Sequence, residues 1–359
     1  MSRIRRMAVL AALGTIFAAA KAPAEHKAPS KEPKPAELLP GIAGRHHHPI
    51  ATKSREAQQY FDQGLTLIYA FNHPEAERSF RKAAELDPTS PMPYWGIAYS
   101  LGPNYNRDAD PVGPDRNKRA YEAVQQALKL AKAKPVREAD YVAALAKRYS
   151  LDPKADGKKL ETDFKEAMRD LANKYPDDLD AATLYAESMM NLKPWQLWTA
   201  ERKPAEGTEE IVRVLESVLR RFPDHPGANH YYIHAMEASP HPERAMPSAL
   251  RLGANVPGAG HLVHMPGHIF LQTGDYDLAA LTNVQAAAAD KAYVQRTGAT
   301  GMYPLMYWTH NIHFIVYAGA QRGRYDEAKQ AAQDMVQNVG EADLQMQMLE
   351  GFLLYPLMI

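Results

Sequence analysis

The sequence predicts an all-α protein, an α-solenoid of stacked helix-turn-helix repeats. From about residue 57 onward apolar residues recur at helical spacing, and glycine and proline mark turns between short segments. Two histidine pairs recur at an offset of 34 residues, His230 with His264 and His234 with His268, and a fixed period of this length indicates a helical-repeat protein. Cysteine is absent, so neither a disulfide framework nor a thiolate metal site holds the fold together.

Charge and length narrow the classes of function. The chain has 42 lysine and arginine residues and 42 aspartate and glutamate residues, so its net charge is zero. This balance argues against a nucleic acid or an anionic membrane surface as the partner, because both are bound through excess positive charge. We therefore expect no nucleic-acid partner. The 359 residues are enough to stack many two-helix repeats.

The N-terminus predicts export. Three arginines precede an apolar run over 7–20 that is too short to span a bilayer, and Ala22-Pro23-Ala24 offers a cleavage site between small residues. We assign 1–24 to a signal peptide, with an uncleaved anchor as the alternative, and 25–50 to a tether rich in proline, lysine and alanine. The mature chain is expected in the periplasm or outside the cell, with no transmembrane segment.

The first repeat shows the clearest pattern. Counting from Ala57, small residues occupy positions 8 and 20, an aromatic residue occupies 24, and a proline follows at 32. Small residues let the two helices of a unit cross closely, and the proline ends the second helix. The residues in question are Gly64, Ala76, Phe80, Ala83 and Pro88.

Residues 57–338 resemble the tetratricopeptide repeat (TPR) superfamily, on this first unit and on later ones with the same spacing. The motifs Phe61–Leu65, Tyr94–Ala98, His261–Pro266 and Asn311–Phe314 resemble those of a group of exported bacterial TPR proteins. The resemblance implies an α-solenoid whose concave groove binds a protein or peptide.

The remaining elements follow in order, and together they make 51–359 a single TPR-like solenoid. Later first helices begin near residues 91, 179, 226, 260 and 309, with further helices at 117–133, 136–149 and 208–221. Insertions are predicted near 102–116, 193–207 and 288–304. A capping helix is predicted over 342–354.

Seven histidines fall on one stripe of three successive first helices. Within a unit they occupy positions 2, 5 and 9, a spacing that places side chains on one helix face. They are His230, His234, His261, His264, His268, His310 and His313. Glu187 is at position 9 one unit earlier, and Glu237 is at position 12. In the TPR superfamily this stripe lines the concave groove.

Stacked histidines predict a metal site. Side chains four residues apart lie roughly 6 Å apart at Cβ, and packed helices lie about 8–10 Å apart, so imidazoles from neighbouring helices can meet at one ion. Nitrogen and oxygen ligands suit copper, zinc or iron. We predict one or two ions, with Glu187 or Glu237 as ligand, hydrogen-bond partner of a ligand, or general base. The sequence does not decide whether the protein is an enzyme.

The alternative is a scaffold for protein–protein interaction in the cell envelope, without metal or catalysis. In that interpretation the histidines tune the response of the scaffold to pH. A separate interpretation without metal is that the histidines only cap, stack and hydrogen-bond within helices.

Three local features of the sequence predict further details of the structure. Pro266 removes a backbone hydrogen bond and is expected to bend the helix between His264 and His268, or else to start it. The run His46-His47-His48 is assigned to the surface or groove edge, with metal ligation as the alternative. His225 and His241 precede prolines and are interpreted as helix caps.

Overall fold

The computed structural model describes residues 34–106, 115–132, 134–339 and 351–352. It divides into two compact units, which are described separately. The N-terminal unit comprises 35–235, and the C-terminal unit comprises the described residues from 236 onward together with Lys34. The predicted signal peptide over 1–24 and the first part of the tether lie outside the described residues.

Helices account for nearly all regular structure in both units. Among the described residues, nine helices begin in the N-terminal unit: α1 Arg55–Tyr69, α2 His73–Leu86, α3 Pro91–Ser100, α4 Asp115–Ala131, α5 Val136–Ala146, α6 Gly157–Lys174, α7 Leu179–Asn191, α8 Thr208–Arg221 and α9 Pro226–Met236. The C-terminal unit follows with a 3₁₀ turn Pro242–Ala245, α10 Met246–Asn255, α11 Gly260–His264, α12 Pro266–Thr273, α13 Tyr276–Thr297, a π-helical segment Tyr303–Trp308, α14 Thr309–Gln321 and α15 Tyr325–Val339.

The prediction of an all-α solenoid with TPR-like repeats is confirmed. From α1 to α8 each helix packs on the next one in sequence, and α1 also packs on α3. In the C-terminal unit α13, α14 and α15 pack in succession. The described residues form no strand; Trp198 and Pro204 form an isolated bridge. None of the helices described here has the length and apolar character needed to cross a membrane.

The first repeat explains why small residues are needed where α1, α2 and α3 meet. Phe80 of α2 is fully buried and lies between Gly64 of α1 and Gly96 of α3. A Cβ atom on Gly64 would lie 2.7 Å from Phe80 Cε1, and one on Gly96 would overlap the same ring. The aromatic residue at position 24 therefore fills the space that position 8 leaves empty, as the sequence pattern predicts.

Ser54 caps α1 and offers a test of local stability. Its Oγ accepts a hydrogen bond of 3.1 Å from the Ala57 N–H. We expect Ser54→Ala to lower the free energy of unfolding by about 1 kcal/mol, because that N–H loses its partner. Urea unfolding followed by circular dichroism measures the change. Ser54→Thr keeps the hydroxyl and is the control, so an equal loss in both variants would contradict a capping role.

The structure differs from the sequence prediction in two connecting segments. Residues 35–50, assigned to the predicted tether, are part of the N-terminal unit, and Leu39, Ile42 and Ile50 are buried in it. The insertion predicted near 288–304 is helical up to Thr297, because α13 continues without a break.

Two further predicted segments are only partly described. The insertion near 102–116 ends in α4, and its middle lies outside the described residues. Of the predicted capping helix over 342–354, only residues 351–352 are described, and they are helical.

Candidate metal centre

Three of the predicted histidines meet in the C-terminal unit. His264 ends α11, His268 lies on α12 and His310 lies on α14. One ring nitrogen from each lies within 4.8 Å of the other two. His264 and His268 are buried, whereas His310 is partly exposed. This group therefore has one side that solvent reaches.

Pro266 produces the break that the sequence predicts between His264 and His268. α11 ends at His264 and α12 begins at Pro266, with Met265 between them in a right-handed helical conformation. Proline has no N–H to continue the hydrogen-bond ladder. The backbone at Met265 stays in the helical region, and the two imidazoles contact each other at 4.7 Å between ring centroids.

Asn283 fixes the tautomer of His264. The Asn283 Nδ2 donates to the Ala279 carbonyl over 2.8 Å, so its Oδ1 is the atom that faces His264. That oxygen lies 2.6 Å from His264 Nδ1. Since an amide oxygen only accepts, Nδ1 carries the proton, and Nε2 of a neutral His264 is left with a lone pair.

Glu237 fixes the tautomer of His268 in the same way. Its Oε2 lies 2.6 Å from His268 Nδ1, and a carboxylate accepts the proton of that nitrogen. The two Nε2 atoms of His264 and His268 then face each other at 2.8 Å. Two acceptor nitrogens at this separation repel, so a proton or a cation must lie between them. A tetrahedral ion with bonds of about 2.0–2.1 Å would hold them about 3.3 Å apart, which a small ring movement provides.

Phe314 forms an apolar floor under the three imidazoles. Its ring centroid lies 4.5 Å from that of His264, 4.8 Å from that of His268 and 4.8 Å from that of His310. The ring keeps water from one side of the group. The attraction between a cation and its ligands is stronger in such a low-dielectric setting than in bulk water.

The other two predicted histidines of this unit lie outside the group of three. His261 stacks on His264 at 5.6 Å between centroids and contacts Tyr307 edge-on at 4.8 Å. His313 lies 6.2 Å from His310 between ring centroids. Burial lowers the pKa of His313 to about 4, so its imidazole is neutral near pH 7.

His230 and His234 lie in the N-terminal unit, one turn apart on α9. Their ring centroids are 4.9 Å apart. His230 Nδ1 lies 2.6 Å from the Tyr69 carbonyl and donates to it, which fixes this tautomer as well. Both histidines are buried.

The surroundings of His234 include two strained residues. Phe71 and Trp195 contact its ring at 5.9 and 5.4 Å between centroids. Both have a positive φ, of 56° and 60°, a conformation that is unfavourable for residues other than glycine and that clusters at functional sites.

Glu187 takes part in a different buried network of the same unit. Its carboxylate accepts a hydrogen bond from the Tyr99 hydroxyl and one of 3.3 Å from Asn191 Nδ2. Burial raises its pKa to about 7, although these two hydrogen bonds act in the opposite direction. The histidine groups in the described part of this unit do not include it, and its role as a ligand stays a prediction.

A second cluster of titratable groups, around Asp180, was not recognised from the sequence. Asp180 Oδ1 accepts hydrogen bonds from the Tyr69 hydroxyl at 2.5 Å and from His46 Nε2 at 2.8 Å, and Oδ2 lies 2.8 Å from His48 Nδ1. Burial by itself would raise the pKa of Asp180, but the neighbouring imidazoles, including His225, outweigh it and hold the pKa well below the usual range.

Asn283 was not predicted as a site residue, although its position in the repeat is a signal that could have found it. Asn283 occupies position 24 of its repeat, where the first repeat has Phe80, and a polar residue at a packing position is a sign of a buried hydrogen bond. His225 caps α9 as predicted, because its Nδ1 accepts from the Ala228 N–H over 3.2 Å.

No family model matches this chain. No curated protein matches it either. Among solved structures, the chain is similar to a human IFIT1 dimer with PPP-AAAA and to a human IFIT1 dimer with m7Gppp-AAAA. The identity is 11% in both cases, over 79% of this chain and 73% and 72% of those chains, with TM-scores of 0.35 and 0.38. TM-scores this low carry no argument about function. The proposed function therefore rests on the geometry of the histidine site.

Proposed function

We propose that the C-terminal unit binds one transition-metal ion through the imidazoles of His264, His268 and His310. The observation that carries the proposal is the pair of facing Nε2 atoms at 2.8 Å. Asn283 and Glu237 each hold the opposite ring nitrogen as a donor. This arrangement of ligand and hydrogen-bond partner is typical of metal-binding histidines, because it fixes the ring and makes the ligating nitrogen more basic.

The donor set favours zinc, copper or iron. Three imidazoles and no thiolate suit these ions, and a tetrahedral ion with three protein ligands keeps a fourth position open. His310 is partly exposed, so that position is on the side from which water or a small substrate enters. An ion bound in this way supports water activation or oxygen chemistry. This proposal includes export, which rests on the N-terminal sequence pattern alone.

Elemental analysis of the purified chain tests the proposal. The mature chain, expressed without a tag in its export compartment, is expected to carry about one equivalent of metal more than the His264→Ala variant, since two ligands do not hold an ion as three do. His241→Ala is the matched control, because His241 lies in the same unit and its side chain is 65% exposed.

The result also distinguishes the scaffold alternative. If the wild-type chain and His264→Ala are both folded by circular dichroism and contain equal amounts of metal, then the facing imidazoles share a proton, and the proposal is wrong. Loss of metal in His241→Ala as well would point to adventitious surface binding.

A further inference from the structure

The segment 35–51, called the strap, is held against the N-terminal unit by its histidines. His46 Nε2 and His48 Nδ1 lie 2.8 Å from opposite oxygens of Asp180, and His47 Nδ1 lies 2.7 Å from Asp62 Oδ2. His46 and His48 are buried, whereas the side chain of His47 is exposed. Two imidazoles from one short segment therefore converge on a single buried carboxylate 132 residues away.

A second carboxylate, that of Asp178, lies beside the first at the start of α7. Its Oδ1 accepts from the Ala181 N–H at 3.0 Å and from the Tyr141 hydroxyl at 2.9 Å. Asp178 is only 6% exposed, and its Oδ2 accepts no hydrogen bond. The cation that pairs with this oxygen is Arg137, whose Nη1 is 3.8 Å away, beyond hydrogen-bond distance.

We propose that His48, Asp178 and Asp180 form a second divalent-cation site, independent of the histidine site in the C-terminal unit. One ligand atom from each residue lies within 4.8 Å of the other two. One nitrogen and two carboxylate oxygens suit Zn(II) or Mn(II). The ion occupies the place where Asp178 Oδ2 lacks a donor, and it adds positive charge beside this buried carboxylate, whose contact with Arg137 spans 3.8 Å.

His225 supports this site but is not one of its ligands, although its Nε2 lies 3.2 Å from Asp180 Oδ1. A backbone N–H can only donate, so the 3.2 Å contact from the Ala228 N–H makes His225 Nδ1 an acceptor. Nε2 of a neutral His225 then carries the proton and donates to Asp180. Together with the Tyr69 hydroxyl, this donor orients the Asp180 carboxylate toward His48.

An ion bound at this site links the strap to the beginning of α7. His48 comes from the strap, and both aspartates come from the beginning of α7. Releasing the strap then requires releasing the ion, so the strap opens less often when the ion is bound. Cleavage by trypsin after Arg45, an exposed strap residue, reports this opening.

The test uses the full mature chain carrying His264→Ala, so that the C-terminal site contributes no metal. We expect this chain to bind one equivalent of Zn(II) or Mn(II) after chelator treatment and desalting, as measured by elemental analysis and calorimetric titration. The equivalent is expected to be lost when Asp178→Asn is added. It is expected to persist when Asp177→Asn is added, because Asp177 is an exposed neighbour with a side chain 68% exposed.

Proteolysis provides the second measurement. At a free ion concentration 100 times the dissociation constant, cleavage after Arg45 is expected to slow by up to about 100-fold, and to be unaffected by the ion in the Asp178→Asn chain. If Asp178→Asn does not fold, His48→Gln takes its place. Equal metal content with and without these substitutions, in folded protein, would overturn the proposal and leave a metal-free histidine–aspartate network. Failure of the C-terminal site alone appears as equal metal in the wild-type and His264→Ala chains.

Discussion

Replacing Glu237 by glutamine is expected to weaken metal binding at the C-terminal site by about 10- to 100-fold. The Glu237 carboxylate accepts the Nδ1 proton of His268 over 2.6 Å, and its side chain is only 11% exposed. Glutamine has nearly the same shape but no negative charge, so it accepts the proton less strongly and makes Nε2 a poorer ligand. Its amide can also turn its NH₂ group toward the ring, which favours the wrong tautomer.

Competition against a chromophoric chelator measures this change, with zinc as the probe. Glu243→Gln is the matched control: Glu243 also pairs with a histidine of the same unit, His241, at 3.1 Å, but both side chains are more than half exposed. The control is expected to keep the wild-type affinity. An unchanged affinity in Glu237→Gln would mean that the carboxylate does not act through His268.

Asn283 should show a related but separable effect. Asn283→Ala removes the acceptor of His264 Nδ1 and leaves that buried N–H without its 2.6 Å partner. The ring is then free to take the other tautomer, so we expect weaker binding here too. Because Glu237 and Asn283 act on different ligands of one ion, the double variant is expected to deviate from additivity.

The fold was predictable because its determinants are local and repeat along the chain. Gly64 and Phe80 carry the unit pattern, and the structure puts them in contact. The same register placed His264, His268 and His310 on one stripe, and these three do meet. The spacing of residues within a helix determines which face they share, and residues on equivalent faces of adjacent helices become neighbours.

The parts that sequence reasoning missed depend on contacts between distant segments. Asp180 and His48 are far apart in the chain, and no spacing rule connects them. The strap was interpreted as a tether because proline, lysine and alanine dominate 25–50, yet a few apolar side chains and two histidines suffice to bind its second half. Asn283 was overlooked because position 24 is a packing position in the first repeat, and only its hydrogen bonds reveal its role.

The largest expected effect on stability comes from Asp290, a buried carboxylate of α13. It accepts a hydrogen bond of 3.1 Å from the Tyr303 hydroxyl and one of 2.6 Å from Asn311 Nδ2. A Cβ atom on Gly260 would overlap its carboxyl group, so α11 approaches it closely. Burial raises the pKa of Asp290 to about 7, because the two hydrogen bonds only partly offset the loss of water.

This raised pKa makes the folded chain less stable as pH increases. Unfolded aspartate titrates near pH 4, so between about pH 4 and pH 7 the folded protein keeps a proton that the unfolded chain has released. The free energy of unfolding falls across that window and levels off above it. Asp290→Asn removes the charge; its one amide oxygen can still accept from Asn311 Nδ2, while its NH₂ group faces the Tyr303 hydroxyl oxygen, which can accept. We expect it to be more stable than the wild type at pH 8 by about 2–4 kcal/mol, and to differ little at pH 4.

Urea unfolding at pH 5, 6, 7 and 8 measures this difference, with chelator present so that metal binding does not add its own pH dependence. Subtracting the wild-type curve from the variant curve isolates Asp290 from other buried groups such as Glu187. Asp334→Asn, at an exposed position of α15, controls for the removal of one negative charge. A variant less stable than the wild type at pH 8 would mean that Asp290 is ionised and paired with a cation in the folded protein. An ionised carboxylate stabilises a buried position only when a nearby cation compensates its desolvation.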